Sequence, residues 1–353
     1  MQPVPVGTDD VERPDLPALI ARATARTPLD AETAELLFGE VMEGRATPVQ
    51  VAALLSGMRA RGETAGEIAG GVRALRRAMI TVSADEPAEL VDTCGTGGGV
   101  VTTFNISTAA AFTAAGAGVR IAKHGNRSFS SRCGSADILE ALGVRIELTP
   151  EQMSAVLARA GIVFMFAPLL HPAMRHVAPV RRELRMPTVM NLLGPLTNPA
   201  HARRQVVGVS DPALLDLVAE ALRQLGHIRA LVVHGEPGLD ELSPIGTTRM
   251  LDLRDGVITD STVDLGTHFR GRTLDPADLA GGDPAHNARL VLDVLSGTAP
   301  DAARAAVVIN AAAAIHVSDR VGSLEEGIAA ARESIDSGAA LEALERLREA
   351  SAI

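Results

Sequence analysis

Leu90-Val-Asp-Thr-Cys-Gly-Thr-Gly-Gly-Gly-Val-Val-Thr-Thr-Phe-Asn-Ile-Ser-Thr108 sets a strand, a glycine loop and a helix start in immediate succession. The apolar opening reads as a buried strand. Four glycines in the five residues 95–99 let the backbone take conformations and approaches that a Cβ forbids, so that its amides can converge on an anion. Asn105-Ile-Ser-Thr108 then opens an Ala-rich helix, whose first N–H groups and hydroxyls suit a phosphate. A flexible turn followed by an ordinary N-cap is the plainer account of either piece alone. No Gly-Lys-[Ser/Thr] follows, so this is not a Walker loop. The glycines do not space as G-x-G-x-x-G, so it is not a dinucleotide fingerprint either.

Outward from this unit the same alternation continues. Apolar runs at 90–94, 119–124, 161–167, 187–191, 205–209 and 229–235 are the strand candidates. Helices are expected at Ser107–Ala117, Ala136–Leu142 and Pro150–Ala160, then over the Ala-rich stretch 302–315 and a charged stretch 323–349. Such alternation predicts an α/β domain with a mainly parallel central sheet. Residues 14 to about 80 differ and read as a small all-helical bundle. Thr27-Pro28 and Thr47-Pro48 place a capping hydroxyl before a proline suited to the first turn, and Thr64-x-x-Glu67 is a capping box.

Composition narrows the class. The chain has 353 residues, 46% hydrophobic and 22% charged, as in a soluble globular protein. Its apolar runs fall short of the ~18 residues of a membrane span. The first residues, rich in proline and acids, read as a disordered lead-in and not as a secretory signal. Cys94 and Cys133, far apart and without C-x-x-C spacing, favour a reducing compartment and argue against zinc. A net charge of −10 and the absence of Trp and Tyr argue against nucleic-acid binding.

Three further segments carry chemistry. Lys123-His-Gly-Asn-Arg-Ser-Phe-Ser-Ser131 follows a strand and ends near Cys133-Gly-Ser-Ala-Asp137, where open α/β sheets bind ligands. Lys123 offers a point charge for phosphate, whereas His124 alone reads more readily as a structural histidine. Gly238-Leu-Asp-Glu-Leu242 puts two carboxylates at a strand end, either simple surface or oxygen ligands for Mg²⁺ beside phosphate. In His171 to Arg182 the arginines offer forks for a carboxylate, but spacing does not say which one faces a site.

DTCGTGGG, TFNIST, KHGNRSFSSRCGSADILEALGV, FAPLLHPAMRHVAPVRREL, NLLGPLTNP and GLDELSPIGTT, taken in order, resemble the motifs of the anthranilate phosphoribosyltransferases of tryptophan biosynthesis, from about residue 14 to the C-terminus. The resemblance implies a helical domain over 14–82 with an added segment near 172–195, and an α/β phosphoribosyl-binding domain over 83–171 and 196–353. It implies phosphoribosyl pyrophosphate (PRPP) held by Gly95, Gly98, Gly99, Thr103, Asn105, Ser107, Thr108, Lys123, Asn126, Ser131 and Ser135. Gly95, Asn126 and Arg181 would bind anthranilate, and Ser107, Asp240 and Glu241 would serve two Mg²⁺ ions. Lys123 and Arg181 would be the catalytic residues. It further implies a cytoplasmic homodimer acting on small molecules, with no nucleic-acid or membrane partner. Gly99 stands where that family commonly has Asp. A pyrimidine nucleoside phosphorylase of the same fold, a paralogue using another aromatic acid and a catalytically silent nucleic-acid binder are the competing readings.

Overall fold

The computed structural model describes residues 14–97, 101–128 and 132–353; the N-terminal lead-in, Gly98, Gly99 and Ser131 lie outside them. Four helices come first: α1 (Leu16–Thr24), α2 (Ala31–Met42), α3 (Pro48–Arg61) and α4 (Ala65–Ala78). The Thr64 capping box forms as expected with Glu67, and Thr47 caps α3 as expected, its box completed by Gln50. Thr27-Pro28 starts no helix. Asp30 does so instead, its carboxylate accepting from Thr33 N at 2.7 Å. Glu67 is fully buried and also accepts from Leu29 N at 3.0 Å and from Arg61 Nη2, stapling the α1–α2 connection to α4.

The remainder alternates. β1 (Val91–Gly95), α5 (Ile106–Gly116), β2 (Ile121–Gly125), α6 (Ser135–Ala141), α7 (Pro150–Ala160) and β3 (Ile162–Phe166) lead to α8 (Ala167–Leu170), α9 (Ala178–Leu184) and α10 (Met190–Leu193). Then follow β4 (Arg204–Gly208), α11 (Leu215–Gln224), β5 (Arg229–Gly235), β6 (Thr248–Arg254) and β7 (Val257–Val263). Four helices close the chain: α12 (Pro284–Leu295), α13 (Asp301–Val317), α14 (Leu324–Asp336) and α15 (Ala339–Ser351). The seven strands form one sheet in the order β3-β2-β1-β4-β5-β6-β7, parallel through β5 and antiparallel beyond. Strand order reverses between β1 and β4, the point at which open α/β sheets leave a crevice for ligands.

Three elements differ from expectation. Residues 187–191 form no strand: Asn191 Oδ1 accepts from Thr188 N at 3.1 Å and the run coils into α10, an ambiguity that a short apolar run cannot resolve. The charged stretch 323–349 is two helices, separated at Gly338 with φ 84°. The β6–β7 hairpin was not anticipated, although Asp255-Gly256, with φ 48° and 82°, is the dipeptide that two-residue hairpin turns favour.

Two apolar cores flank the sheet. One gathers α5, α7 and α12–α15 on one face, with α13 buried along almost its whole length because alanines let neighbours approach closely. The other joins α1–α4 to Val177, Val180, Val189, Met190, Leu193 and Leu196, and continues through α11 onto Val207, Val232, Leu251 and Leu253 of the opposite face. The chain passes between helical part and sheet three times. The crossings are bonded to one another, Ile80 N to Leu170 O at 2.8 Å and Val82 N to Pro199 O at 3.0 Å. Among the described residues no helix is long and apolar enough to cross a membrane.

Candidate active site

Four neighbouring parallel strands, β2, β1, β4 and β5, each end in glycine: Gly125, Gly95, Gly208 and Gly235. Three of these glycines make room for one loop. A Cβ on Gly95 would stand 2.6 Å from Asp240 Oδ2, one on Gly208 would overlap the Asp240 carbonyl, and one on Gly235 would overlap that of Glu241. The acidic loop after β5 therefore lies flat across the carboxyl ends of β1 and β4, over the crevice.

The two carboxylates reach the glycine loop and the helix that follows it. Asp240 Oδ2 accepts from Gly97 N at 3.0 Å, and Glu241 Oε1 accepts from Ser107 N at 3.1 Å. Glu241, and not Asn105, thus caps α5. The Asn105 side chain instead donates to Cys133 O at 3.3 Å and accepts from Asn287 Nδ2 at 2.9 Å, tying the helix start to the loop before α6 and to α12. Both acids keep some solvent access yet are surrounded by protein on most sides. Burial raises the pKa of each, and the Asp240 charge helps push Glu241 to about 8. Asp240 Oδ1 and Glu241 Oε2 take no hydrogen bond from another described residue.

Lys123 lies beneath the same helix end, only 4% exposed. Its ammonium donates to the Thr93 carbonyl, to Thr93 Oγ1 at 3.3 Å and to Ser107 Oγ at 3.3 Å. Burial depresses its pKa, while Asp92 pulls the other way. Thr108 is buried next to it, its hydroxyl without a partner among the described residues. Thr103 pairs across an isolated bridge with Ala280, which holds the far end of the glycine loop against the chain before α12.

The segment after β2 folds back on itself around Asp137. That carboxylate accepts from Gly134 N at 2.8 Å, Ser128 N at 3.2 Å and Arg127 Nη1 at 3.0 Å, while Ser135 Oγ donates to Asn126 O at 3.2 Å. Asn126 and Ser135 are thereby adjacent, and the Asn126 side chain accepts only from Arg127 N among the described residues. Arg181 stands on α9 in the helical part. It is half-buried, its guanidinium makes no hydrogen bond or ion pair among the described residues, and burial lowers its pKa. No bond links it to the cluster at the sheet edge.

Side chains that motif reading left aside hold this arrangement from below. Asp92, completely buried, accepts from His124 N at 3.2 Å, Asn198 Nδ2 at 2.9 Å and Gln205 Nε2 at 3.3 Å. His124 meets His171 through their Nε2 atoms at 3.2 Å, and burial pushes their pKa values down to about 3 and about 4. Thr96 is pinned to Ser210 after β4. The signal available in sequence was the acid inside an otherwise apolar strand, which must be paired if buried.

Donor chemistry and topology therefore join a phosphate-suited helix start, an oxygen-only acid pair and a glycine loop at one crevice. Among the described residues no cluster of three His, Cys, Asp or Glu side chains could hold a metal on its own, so an ion here would need oxygens from a ligand. Comparison with known proteins agrees. Residues 17–79 match the model of the glycosyl transferase family helical bundle domain, and residues 87–341 that of the glycosyl transferase family a/b domain. An anthranilate phosphoribosyltransferase of Rubrobacter xylanophilus is 52% identical over 93% of this chain and 95% of its own. The crystal structure of the Thermus thermophilus enzyme of that name is 42% identical, with a TM-score of 0.89 over 95% of this chain and 99% of that one. The Saccharomyces cerevisiae enzyme in complex with PRPP and Mg is 27% identical with a TM-score of 0.85, covering 96% and 98%. With both family models in order and half the residues identical over nearly the whole length, the chain belongs to the anthranilate phosphoribosyltransferase family of glycosyl transferases.

Proposed function

We propose that this enzyme transfers the phosphoribosyl group of PRPP to anthranilate in a Mg²⁺-dependent reaction, giving N-(5-phosphoribosyl)anthranilate and pyrophosphate. The observation that carries the reading is the meeting of Asp240 and Glu241 with the N-terminus of α5 and the glycine loop. A diphosphate seated on the amides of Gly97 and Ser107 would displace these carboxylates toward the ions that a diphosphate brings. The residues present fit a hard cation: the donors are all oxygen, and among the described residues each acid has one oxygen uncommitted. Asp240, Glu241 and the Ser107 hydroxyl would hold two Mg²⁺ ions together with substrate oxygens. Bound there, Mg²⁺ supplies positive charge to the departing pyrophosphate.

The chain's own groups do the rest. Lys123 fixes Ser107 Oγ and adds charge beneath the phosphate seat. Thr103, Asn105, Thr108, Ser135 and the glycine loop complete that seat. Arg181 receives the anthranilate carboxylate and Asn126 orients the ring, aiming the amine at C1 of the ribose. The amine nitrogen attacks C1, the bond from C1 to the pyrophosphate oxygen breaks, and the nitrogen sheds its proton to solvent. An aromatic amine is neutral near pH 7, so no dedicated base is required. Residues 14–82 and 172–195 act as the domain that brings the acceptor, and the protein works as a homodimer.

The test is product fluorescence with PRPP and anthranilate, with and without Mg²⁺, in wild type and in Asp240→Ala/Glu241→Ala. Loss of most turnover and a weakened Mg²⁺ dependence are expected, in a protein that keeps its fold. Normal turnover of the double variant at limiting Mg²⁺ would refute the metal assignment, and preference for another aromatic acid would refute the acceptor.

A further inference from the structure

The three crossings between helical part and sheet need fastening, because Arg181 stands on one side and the phosphate seat on the other. The Asp92 carboxylate makes that connection at the sheet's centre. Asp92 and Thr93 point to opposite faces of β1. Thr93 meets Lys123 and Ser107 on the α5 face, whereas Asp92 faces the crossings. One oxygen of Asp92 takes the His124 amide where β2 ends, at the root of the loop carrying Asn126. The other takes Asn198 Nδ2 at 2.9 Å and Gln205 Nε2 at 3.3 Å. Asn198 lies on the crossing that returns from α10, and it also donates to Ala122 O at 2.9 Å and accepts from Ala200 N at 2.9 Å. Gln205 donates to Pro195 O on the same crossing at 3.0 Å. Its Oε1 meets His227 Nε2 at 2.9 Å.

We propose that Asp92 is a positioning residue for the transfer: through Asn198 and Gln205 it fixes the returning crossing, and with it the acceptor-bearing helical part, against the phosphate seat. A buried carboxylate can hold three donors from three separate segments at one point, which no apolar side chain could do. This role rests on the proposed transfer reaction and concerns geometry, since Asp92 is sealed from any substrate.

Asp92→Asn keeps the shape and an acceptor for the His124 amide, but turns a donor toward two donors, those of Asn198 and Gln205. The crossing is released while the phosphate loop keeps its root. The expected result is a fall of at least tenfold in kcat/KM for anthranilate, with the KM for PRPP within about threefold of wild type. Asn198→Ala, which leaves the Asp92 carboxylate in place but removes the crossing's bonds to Asp92, Ala122 and Ala200 together, should move the same constants in the same direction and decides the matter if Asp92→Asn does not fold. Equal losses on both substrates, or unchanged kinetics with a lower melting temperature, would overturn the proposal and leave Asp92 a purely structural residue. Calorimetric binding of anthranilate to the PRPP-loaded protein reads the same split without turnover. A wild type that binds both ligands yet makes no product would thus overturn the transfer reading, while weakened anthranilate binding in the variants would still uphold the positioning role.

Discussion

Gly208→Ala perturbs the candidate site without replacing a residue proposed to meet substrate or metal. Its new methyl would overlap the Asp240 carbonyl and stand 3.2 Å from Asp240 Cα. Both are backbone atoms, so no rotamer relieves the clash, and carbon–oxygen contact is restored only if the acidic loop retreats by about 1–2 Å. A retreat of that size breaks the 3.0 Å bond from Gly97 N to Asp240 and the 3.1 Å bond from Ser107 N to Glu241. Hydrogen bonds to charged groups contribute roughly 1.5–3 kcal/mol each, and overpacking of a close-packed contact costs about 1–3 kcal/mol. Part of the loss is recovered as the carboxylates regain water, so a net destabilisation of about 3 kcal/mol is expected, roughly 4 °C in Tm for a chain of this length. Activity should suffer more, because displacement of catalytic groups by about 1 Å can cost a hundredfold. Tm from thermal denaturation and initial rates over a Mg²⁺ titration measure both. Gly66→Ala, whose Cβ would have no neighbour nearer than 3.8 Å, is the control and should leave activity intact. A Gly208→Ala enzyme within threefold of wild-type turnover at every Mg²⁺ concentration would refute the claim that the strand-end glycines seat the acid pair.

Arg181→Lys keeps the charge and loses the fork, so the KM for anthranilate should rise about ten- to a hundredfold, the equivalent of roughly 1.5–3 kcal/mol; an equal rise in the KM for PRPP would refute the carboxylate contact. His171 has a folded pKa of about 4 against an ordinary 6.5, so the folded state binds fewer protons than the unfolded one, and stability present above pH 6.5 is lost as pH falls toward 4. At pH 5 the loss is on the order of 2 kcal/mol, which His171→Asn should remove; urea midpoints of both proteins at pH 7.5 and 5.0 check it, and parallel shifts would refute it.

Periodicity and turn chemistry went far in this chain. The five parallel strands, most of the helices and the capping hydroxyls of Thr47 and Thr64 were legible because each is a local decision, made within a few residues by burial or by a hydroxyl beside an amide. What was missed depends on partners distant in sequence. Asn105 looks like an N-cap, but Glu241, more than a hundred residues away, accepts the amide instead. Gly95 reads as ligand-binding, although the neighbouring Asp240 already requires it to lack a side chain. Asp92 passed as one letter of a glycine motif, since nothing local reveals that Asn198 and Gln205 converge on it. The Asp255-Gly256 turn was a local signal that went unread.

The interleaving of the second core has a consequence for synthesis on the ribosome. Residues up to Ala78 emerge first, and α1–α4 can contact one another at once. Their shared interior, however, is lined by Val177 through Leu196 and by strand residues as late as Leu253. At translation rates of roughly 5–20 residues per second, on the order of ten seconds separate the two events. Throughout that interval the core to which Leu37, Leu54, Leu55 and Val72 belong, all buried in the finished protein, lacks its later members. The nascent helices are thus the stage of this chain most exposed to aggregation and most dependent on chaperones, and a gene cut after residue 82 would make that stage permanent.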